Sequence, residues 1–188
     1  MTTTDHLKLS GSAPPVTSRH TGPLKGAADF LKSQYISRWN IICCAKQQTI
    51  AEHQYLCYLL VREWGPKVLT DQELACAKEL ALTHDLAEIR TGDCPTPFKS
   101  PEVKAHLKEV EEGIFSPIPV SGRVGQLVKF CDTAESILFL KLYGLGRHAE
   151  DVRELLAVQM WRRLADSLFN MDERLTLHDQ FNEAFHDT

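Results

Sequence analysis

Hydrophobic residues recur at helical spacing along most of this chain. In one segment Ile50, Cys57 and Trp64 fall on a single helix face, together with Leu60 and the titratable His53. The corresponding stripes further along are Leu74, Ala77, Ala81 and His84, and then Leu127, Cys131, Ala134, Leu138 and Leu142. No run of alternating β-branched residues bounded by turns, the pattern typical of a sheet, is found. The sequence therefore predicts an all-α fold.

The stripes and their flanking residues predict a compact bundle of about seven helices. The predicted helices are Lys25 to Tyr35, Thr49 to Trp64, Asp71 to His84, Pro101 to Glu112, Ser121 to Tyr143, Arg147 to Ala165 and Ser167 to Phe185. Thr49 and Asp71 are residue types that cap helix N-termini, Pro101 suits a first helical turn, and Gly144 is a stop signal. Because no internal repeat is present, we expect a globular bundle rather than a solenoid.

The chain divides into a short arm and one domain. Residues 1–23 contain Pro14-Pro15 and many Thr, Ser and Gly residues with few large apolar groups, so we expect a flexible N-terminal arm. Residues 24–188 then form the folded domain. With 188 residues in total, of which 43% are hydrophobic, the chain can build a substantial core without a second domain.

Charge and hydropathy exclude several classes of partner. Lys plus Arg (21) against Asp plus Glu (25) gives a net charge of -4, so no basic footprint for nucleic acid or anionic lipid is visible. No apolar run approaches the ~20 residues that cross a membrane, and the N-terminus lacks a signal-peptide pattern. We expect a cytoplasmic protein.

Cysteine spacing argues against a disulfide framework. The six cysteines include no C-x-x-C pair, and two of them are adjacent. We interpret all six as reduced thiols. Cys94 alone lies near the residues that carry candidate chemistry.

Three predicted helices direct His53, His84-Asp85 and Asp132 toward the middle of the bundle. A lone buried carboxylate or imidazolium would cost several kcal/mol there, and a bound metal ion removes that penalty. Two imidazoles and two carboxylates suit a divalent ion with open coordination positions, which favours catalysis over a structural role. A single inward histidine is more often a hydrogen-bonded core residue, but the ordered set on successive helices favours the metal site.

Further ionisable residues flank these four. Glu88 would lie at the entrance of the same metal site if its helix continued for another turn. There it could hold a water molecule or move its proton. The alternative is a solvated carboxylate at a helix end. Arg38, Lys99 and Lys129 are candidate phosphate clamps, although Lys129 could instead form a structural salt bridge with Asp132 one turn later.

The motifs that contain these residues resemble the HD superfamily of metal-dependent phosphohydrolases. They are "RWNI" at Arg38 to Ile41, "AEH" ending at His53, "HDLAEIRTGDCPTPFK" from His84 to Lys99 and "VKFCD" ending at Asp132. Within the superfamily the chain is similar to the branch of bacterial 5′-deoxynucleotidases and of dATP triphosphohydrolases from phages that replace adenine by 2-aminoadenine. The similarity covers about residues 26–165.

The resemblance implies roles for individual residues. The ligands of a divalent cation (manganese, cobalt, zinc, iron or magnesium) would be His53, His84, Asp85 and Asp132. Glu88 would be the acid/base residue, and Arg38 would lie at the phosphate site. Trp39 and Ile41 would wall the base and sugar pocket, with ordinary core positions as the alternative. Asp93 would lie near the sugar, although its loop after Gly92 also allows a simple turn role.

These implications favour an HD-domain hydrolase of deoxynucleoside phosphates. Trp39 and Ile41, combined with several lysines, suit an adenine pocket and a long phosphate tail, so a dATP triphosphohydrolase acting in a phage-infected cell is the leading hypothesis. The alternatives are a 5′-deoxynucleotidase acting on deoxynucleoside monophosphates and, from another class, a non-catalytic metal-binding regulatory or scaffold module. The apolar stretch "SILFLKLYGL" further predicts a homo-oligomer, a dimer or a hexamer.

Overall fold

Helices account for all the regular structure in a computed structural model that describes residues 23–94, 100–115 and 118–188. The only β-type pairing within these ranges is two isolated bridges, Ser37 with Thr49 and Cys44 with Gly144. The predicted N-terminal arm, apart from Pro23, and the predicted phosphate ligand Lys99 lie outside the described residues.

The helices follow one another in the order that the hydrophobic pattern predicts. Their bounds are α1 (Ala27–Phe30), α2 (Ile50–Trp64), α3 (Asp71–Thr83), α4 (Glu88–Thr91), α5 (Pro101–Ile114), α6 (Gly122–Tyr143), α7 (Gly146–Ala165) and α8 (Met171–Asp187). Two 3₁₀ helices, Leu31–Tyr35 and Gly65–Lys67, extend α1 and α2.

Short polar side chains fix where several helices begin. Thr49 caps α2 as predicted, and its hydroxyl accepts a hydrogen bond from the backbone N–H of Glu52. The cap of α3 is Thr70 rather than the predicted Asp71, because Thr70 and Glu73 form a reciprocal capping box. The last helix starts later than predicted, since Asn170 caps it in the same manner.

The core lies where α6 packs against α2, α3 and α7. Cys57, Ala81, Leu127 and Cys131 are fully buried, as their stripes predict. The stripe on α6 does not stay buried to its end, however. Leu142 is 49% exposed, because the last turns of α6 extend to the surface beside the groove between α2 and α6.

Two of the predicted chain-level properties can be compared directly with the structure. All six cysteines are free thiols, as expected. No helix among the described residues is both long and apolar enough to cross a membrane.

Candidate metal centre and active site

The four predicted metal ligands lie close together between α2, α3 and α6. The ligand atoms of three of them, His53, His84 and Asp132, all lie within 4.8 Å of one another, and Asp85 is not part of that set. The Nε2 atom of His53 lies 3.1 Å from Asp132 Oδ1 and 3.6 Å from Asp85 Oδ2. The Nε2 atom of His84 lies 3.4 Å from Asp85 Oδ2 and 4.0 Å from Asp132 Oδ1. Ligands at about 2.0–2.2 Å from a shared ion lie about 3–4 Å from one another, so this spacing fits a single divalent cation.

Each histidine is held in the tautomer that a metal requires. The Nδ1 atom of His53 lies 2.5 Å from Glu135 Oε2, and Nδ1 of His84 lies 2.9 Å from the carbonyl oxygen of Ala81. An Nδ1–H that donates to such an acceptor leaves the lone pair on Nε2. In the neutral form of each ring, the Nε2 lone pair therefore points at Asp85 and Asp132.

The Nε2 atoms also provide the test of whether a metal fits. Both are buried, and neither makes a hydrogen bond with any described residue. Buried polar atoms without partners are rare in native proteins and call for an explanation such as an ion. A cation between His53, His84, Asp85 and Asp132 would satisfy both nitrogens and neutralise both carboxylates.

The electrostatics of this cluster are dominated by its carboxylates. Burial and the nearby Arg38 act to lower the pKa of His53, but Glu135 and Asp132 outweigh them and raise that pKa to about 9. Burial acts to raise the pKa of Asp132, whereas Lys129 and His53 hold it well below its ordinary value. The cluster thus attracts positive charge, and Asp132 is ionised at neutral pH.

A cavity opens directly in front of the ligands. Seven predicted residues line it: Arg38, Trp39, Asp85, Glu88, Asp93, Lys129 and Asp132. Cys94, Glu111, Thr133, Ser136, Leu156 and Arg163 complete its wall. The structure therefore joins residues from five separate parts of the chain around one concave site, as is typical of ligand pockets.

Glu88 reaches this cavity by a route different from the predicted one. The α-helix stops at Thr83, and the chain turns through Asp85 before α4 begins at Glu88. The backbone N–H of Glu88 donates to the carbonyl oxygen of Asp85 at 3.0 Å, which fixes this tight turn. Glu88 is consequently buried at the cavity wall and is not a solvated carboxylate at a helix end.

Arg38 is fixed in the cavity wall by acceptors that the sequence did not reveal. Its guanidinium donates to Gln48 Oε1 at 3.4 Å, Glu135 Oε2 at 3.5 Å and Ser136 Oγ at 3.3 Å. Gln48 in turn donates to Glu135 Oε1 at 2.6 Å. The same carboxylate thus positions both the metal ligand His53 and the candidate phosphate ligand Arg38.

Trp39 has an unusual backbone conformation at the cavity wall. Its φ of 62° lies in the left-handed region, which L-residues rarely adopt and which is costly without support from the surroundings. Two contacts provide that support. The indole Nε1–H donates to Gln48 Oε1 at 2.9 Å, and the ring stacks on Phe139 with centroids 6.0 Å apart. These contacts fix the indole of Trp39, which is one of the residues that line the cavity.

The placements of Lys129 and Ile41 differ from those expected of a phosphate ligand and of a wall of the base pocket. Lys129 donates to Asp132 Oδ2, so the salt bridge considered as an alternative is present, although Lys129 also lines the cavity. Ile41 is 54% exposed and does not belong to the described cavity wall. Ile41 is therefore neither a core residue nor part of this cavity wall, and its predicted contact with the nucleotide base stays a prediction.

The most important residue missed by the sequence reasoning is Glu135. It lies three residues after Asp132 on α6 and is buried in contact with Arg38, Gln48 and His53. Two carboxylates at this spacing share a helix face, and that signal could have identified it. Gln48 gives no comparable signal, because a glutamine before a helix cap is common on protein surfaces.

Comparisons with known proteins show which family this chain resembles. Residues 28–116 match a protein family described as 5′-deoxynucleotidase YfbR-like. The dATP triphosphohydrolase of cyanophage S-2L is 44% identical over 164 residues, which cover 84% of this chain and 94% of that protein. A 5′-deoxynucleotidase of Shewanella oneidensis is 31% identical over 90 residues, 45% of this chain and 46% of that protein.

A solved structure agrees over nearly the whole fold. The cyanophage S-2L HD phosphohydrolase DatZ, bound to dA and one catalytic Zn²⁺ ion, superposes with a TM-score of 0.85 at 42% identity. The match covers 88% of this chain and 99% of that chain. The predicted all-α bundle is thereby confirmed as an HD-domain fold.

Proposed function

Because the chain belongs to the YfbR-like family of HD phosphohydrolases, we propose that it is a divalent-metal-dependent dATP triphosphohydrolase. The observation that carries this proposal is the pair of buried Nε2 atoms of His53 and His84, which face Asp85 and Asp132 at the floor of a cavity. A relative that acts on dATP, similar over most of both chains, supports the substrate.

The reaction breaks a P–O bond of the nucleotide with water. A divalent ion held by His53, His84, Asp85 and Asp132 acidifies water and neutralises phosphoryl oxygens when it is bound. The chain itself supplies the groups that orient the reactants and move the proton.

Glu88 is the proposed acid/base residue. Its buried carboxylate lines the same cavity as Asp85 and Asp132, so it can accept a hydrogen bond from the attacking water and receive its proton. The proton can then pass to the leaving oxygen. A carboxylate whose only role was to terminate a helix would have no need of this buried position.

Arg38 and Lys129 are the proposed phosphate ligands among the described residues. Arg38 offers a planar donor fork whose position is fixed by Glu135 and Ser136, which suits bidentate contact with phosphoryl oxygens. Lys129 supplies a second positive charge at the cavity wall. Lys99 remains a proposed third ligand on the grounds of its motif.

Trp39 is the proposed wall for the adenine base. Trp39 lines the cavity with its indole held by Gln48 and Phe139, and a flat apolar wall selects ligands by shape. Asp93 lines the same cavity and is the proposed contact to the sugar. Ile41 is retained as a proposed base contact from its motif alone.

A second function, 5′-deoxynucleotidase, is favoured by one observation. The family that matches residues 28–116 has that description, and so does the relative from Shewanella oneidensis. The third hypothesis, a non-catalytic metal-binding module, gives no role to Glu88, Arg38 and Lys129 in the cavity.

We further propose that the enzyme acts as a homo-oligomer in the cytoplasm of a phage-infected bacterium. Leu142, in the last turn of α6, and Leu145, just before α7, are each 49% exposed and provide apolar surface for self-association. A dimer or a hexamer is expected, and sedimentation analysis of the purified protein distinguishes these states from a monomer.

A panel of nucleotides tests the proposed reaction. The purified protein is incubated with each dNTP and dNMP in the presence of Mn²⁺, Co²⁺, Zn²⁺ or Mg²⁺, and products are separated by chromatography. The proposal predicts loss of dATP with formation of a less phosphorylated deoxyadenosine product. Turnover of dAMP without turnover of dATP would favour the nucleotidase, and inactivity on every substrate would contradict both enzymes.

A further inference from the structure

The cavity in front of the metal ligands meets a second cavity. Lys129 and Arg163 line both of them. The first cavity measures about 150 Å³, which is below the range of about 300–1,000 Å³ that is usual for small-molecule sites. The second measures about 380 Å³. A nucleoside triphosphate therefore needs space beyond the first cavity, and two cationic side chains lie where the walls of the two cavities adjoin.

Arg163 is exposed and has no carboxylate within ion-pairing distance among the described residues. By contrast, Arg90 pairs with Asp29, Arg123 pairs with Glu173, and Arg174 donates to the carbonyl oxygens of Ser167 and Phe169. Within the part of the chain that the structure describes, Arg163 donates only to the hydroxyl of Thr133, at 3.4 Å. Its guanidinium is therefore open to an incoming anion.

Thr133 connects Arg163 to the metal site. Its hydroxyl follows Asp132 directly in sequence and donates to the carbonyl oxygen of Lys129 at 2.8 Å, so its orientation on α6 is fixed. The accepting lone pair of the same oxygen faces Arg163 on α7. A buried hydroxyl therefore holds the guanidinium at the edge of the cavity.

Lys129 and Arg163 are the two cationic side chains that the cavities share. Lys129 is paired with Asp132, whereas Arg163 is exposed and makes its described hydrogen bond with Thr133. An anion beside Thr133 can therefore contact the guanidinium of Arg163 without displacing a carboxylate from it. Arg38 lines the first cavity only, whereas Arg163 lines both, so Arg163 is the guanidinium at the boundary between the two cavities.

From these contacts we infer that Arg163 binds the distal phosphates of the substrate and makes the enzyme favour a triphosphate over shorter phosphate chains. The inference rests on the proposed function and deepens it by naming the residue that distinguishes a triphosphate from a monophosphate. Arg163 offers a planar fork of donors, which matches phosphoryl oxygens better than a point charge does. Arg163 is a binding residue here and takes no part in proton transfer.

Equilibrium binding separates this role from a structural one. Three proteins are compared, and all carry Glu88→Gln, which removes turnover. The first has no other change, the second also carries Arg163→Gln, and the third also carries Arg162→Gln. Arg162 is exposed, as Arg163 is, but lines neither cavity, so it serves as the matched control. Calorimetry of the metal-loaded proteins with dATP and with deoxyadenosine gives both affinities.

The expected result is selective. Arg163→Gln weakens dATP binding about tenfold or more, since a charge-assisted hydrogen bond is lost, and leaves deoxyadenosine binding unchanged. Arg162→Gln changes neither affinity, and Arg163→Lys recovers part of the dATP affinity. In the otherwise native enzyme, Arg163→Gln raises KM for dATP more than it lowers kcat.

Two outcomes would overturn the inference. Equal loss of dATP and deoxyadenosine binding would mean that Arg163 only supports the fold, and unchanged binding of both would make it a surface residue. Failure of the proposed function is a different result. In that case the native enzyme releases no product from dATP, while the binding difference between Arg163→Gln and Arg162→Gln persists.

Discussion

Glu135 Oε2 lies 2.5 Å from Nδ1 of His53, and this contact fixes the face that the imidazole presents to Asp132. His53 is completely buried, so its ring has no solvent to satisfy either nitrogen. Glu135 therefore determines that Nε2, and not Nδ1, is the atom available to a metal. The same carboxylate accepts hydrogen bonds from Gln48 and Arg38, which links the metal site to the phosphate site.

Replacement of Glu135 by glutamine is expected to weaken metal binding about 10- to 100-fold, because the imidazole loses its anionic partner and some of its basicity. Titration of the metal-free protein with Co²⁺ or Zn²⁺ measures this affinity. Glu154→Gln, on the exposed face of α7, is the matched control and should bind metal as the wild type does. An unchanged affinity in Glu135→Gln would mean that Glu135 does not position His53.

Glu88→Gln tests the acid/base assignment. The amide keeps the size of the side chain but cannot receive a proton, so kcat for dATP should fall about 10²- to 10⁴-fold. Metal content, measured by mass spectrometry, should stay at the wild-type level, since Glu88 is not one of the four ligands. Retained activity would show that another group moves the proton, and loss of metal would show that Glu88 is a ligand.

The pairing of Arg123 with Glu173 predicts how stability depends on pH. The hydrogen bond from Arg123 holds the pKa of Glu173 below its ordinary value. Because the folded-state pKa is lowered, this stabilisation is fully present above the unfolded-state pKa of about 4.3 and is lost as pH falls through the folded-state value. It links α6 to the start of α8.

Thermal unfolding over acidic pH checks this prediction. Glu173→Gln should lower Tm relative to the wild type at pH 6, and the difference should shrink as the pH falls toward about 3. Glu154→Gln serves again as the exposed control, with no such trend. If the difference in Tm stayed constant with pH, the effect would come from lost packing or from the lost cap at Asn170, and not from the charge of Glu173.

The helical pattern predicted which helices form the site, because the spacing of hydrophobic residues indicates which side chains face the interior. Helical spacing alone assigns His53 and Asp132 to the interior, and the family resemblance and all-α fold are confirmed. The ligand, acid/base and phosphate roles stay predictions. The pattern could not specify contacts between distant segments, so the role of Glu135 toward His53 went unnoticed.

Local geometry accounts for the other differences. The helix predicted to end at His84 ends at Thr83. Glu88 reaches the cavity through a tight turn that no periodic pattern encodes. Leu142 continues the stripe of α6 beyond the helices that could cover it and is half-exposed. The positive φ of Trp39 depends on Gln48 and Phe139, and a tryptophan gives no sequence signal for such a conformation.

The most direct test is chromatographic measurement of dATP consumption by the purified protein with a divalent cation, beside Asp132→Asn. The account predicts that the wild type converts dATP to a less phosphorylated deoxyadenosine product, that a chelator stops this reaction and that added metal restores it. Asp132→Asn, which lacks one anionic ligand, should bind metal weakly and give no detectable turnover. Hydrolysis that persists in the chelator, or in Asp132→Asn, would contradict the metal centre as the site of reaction.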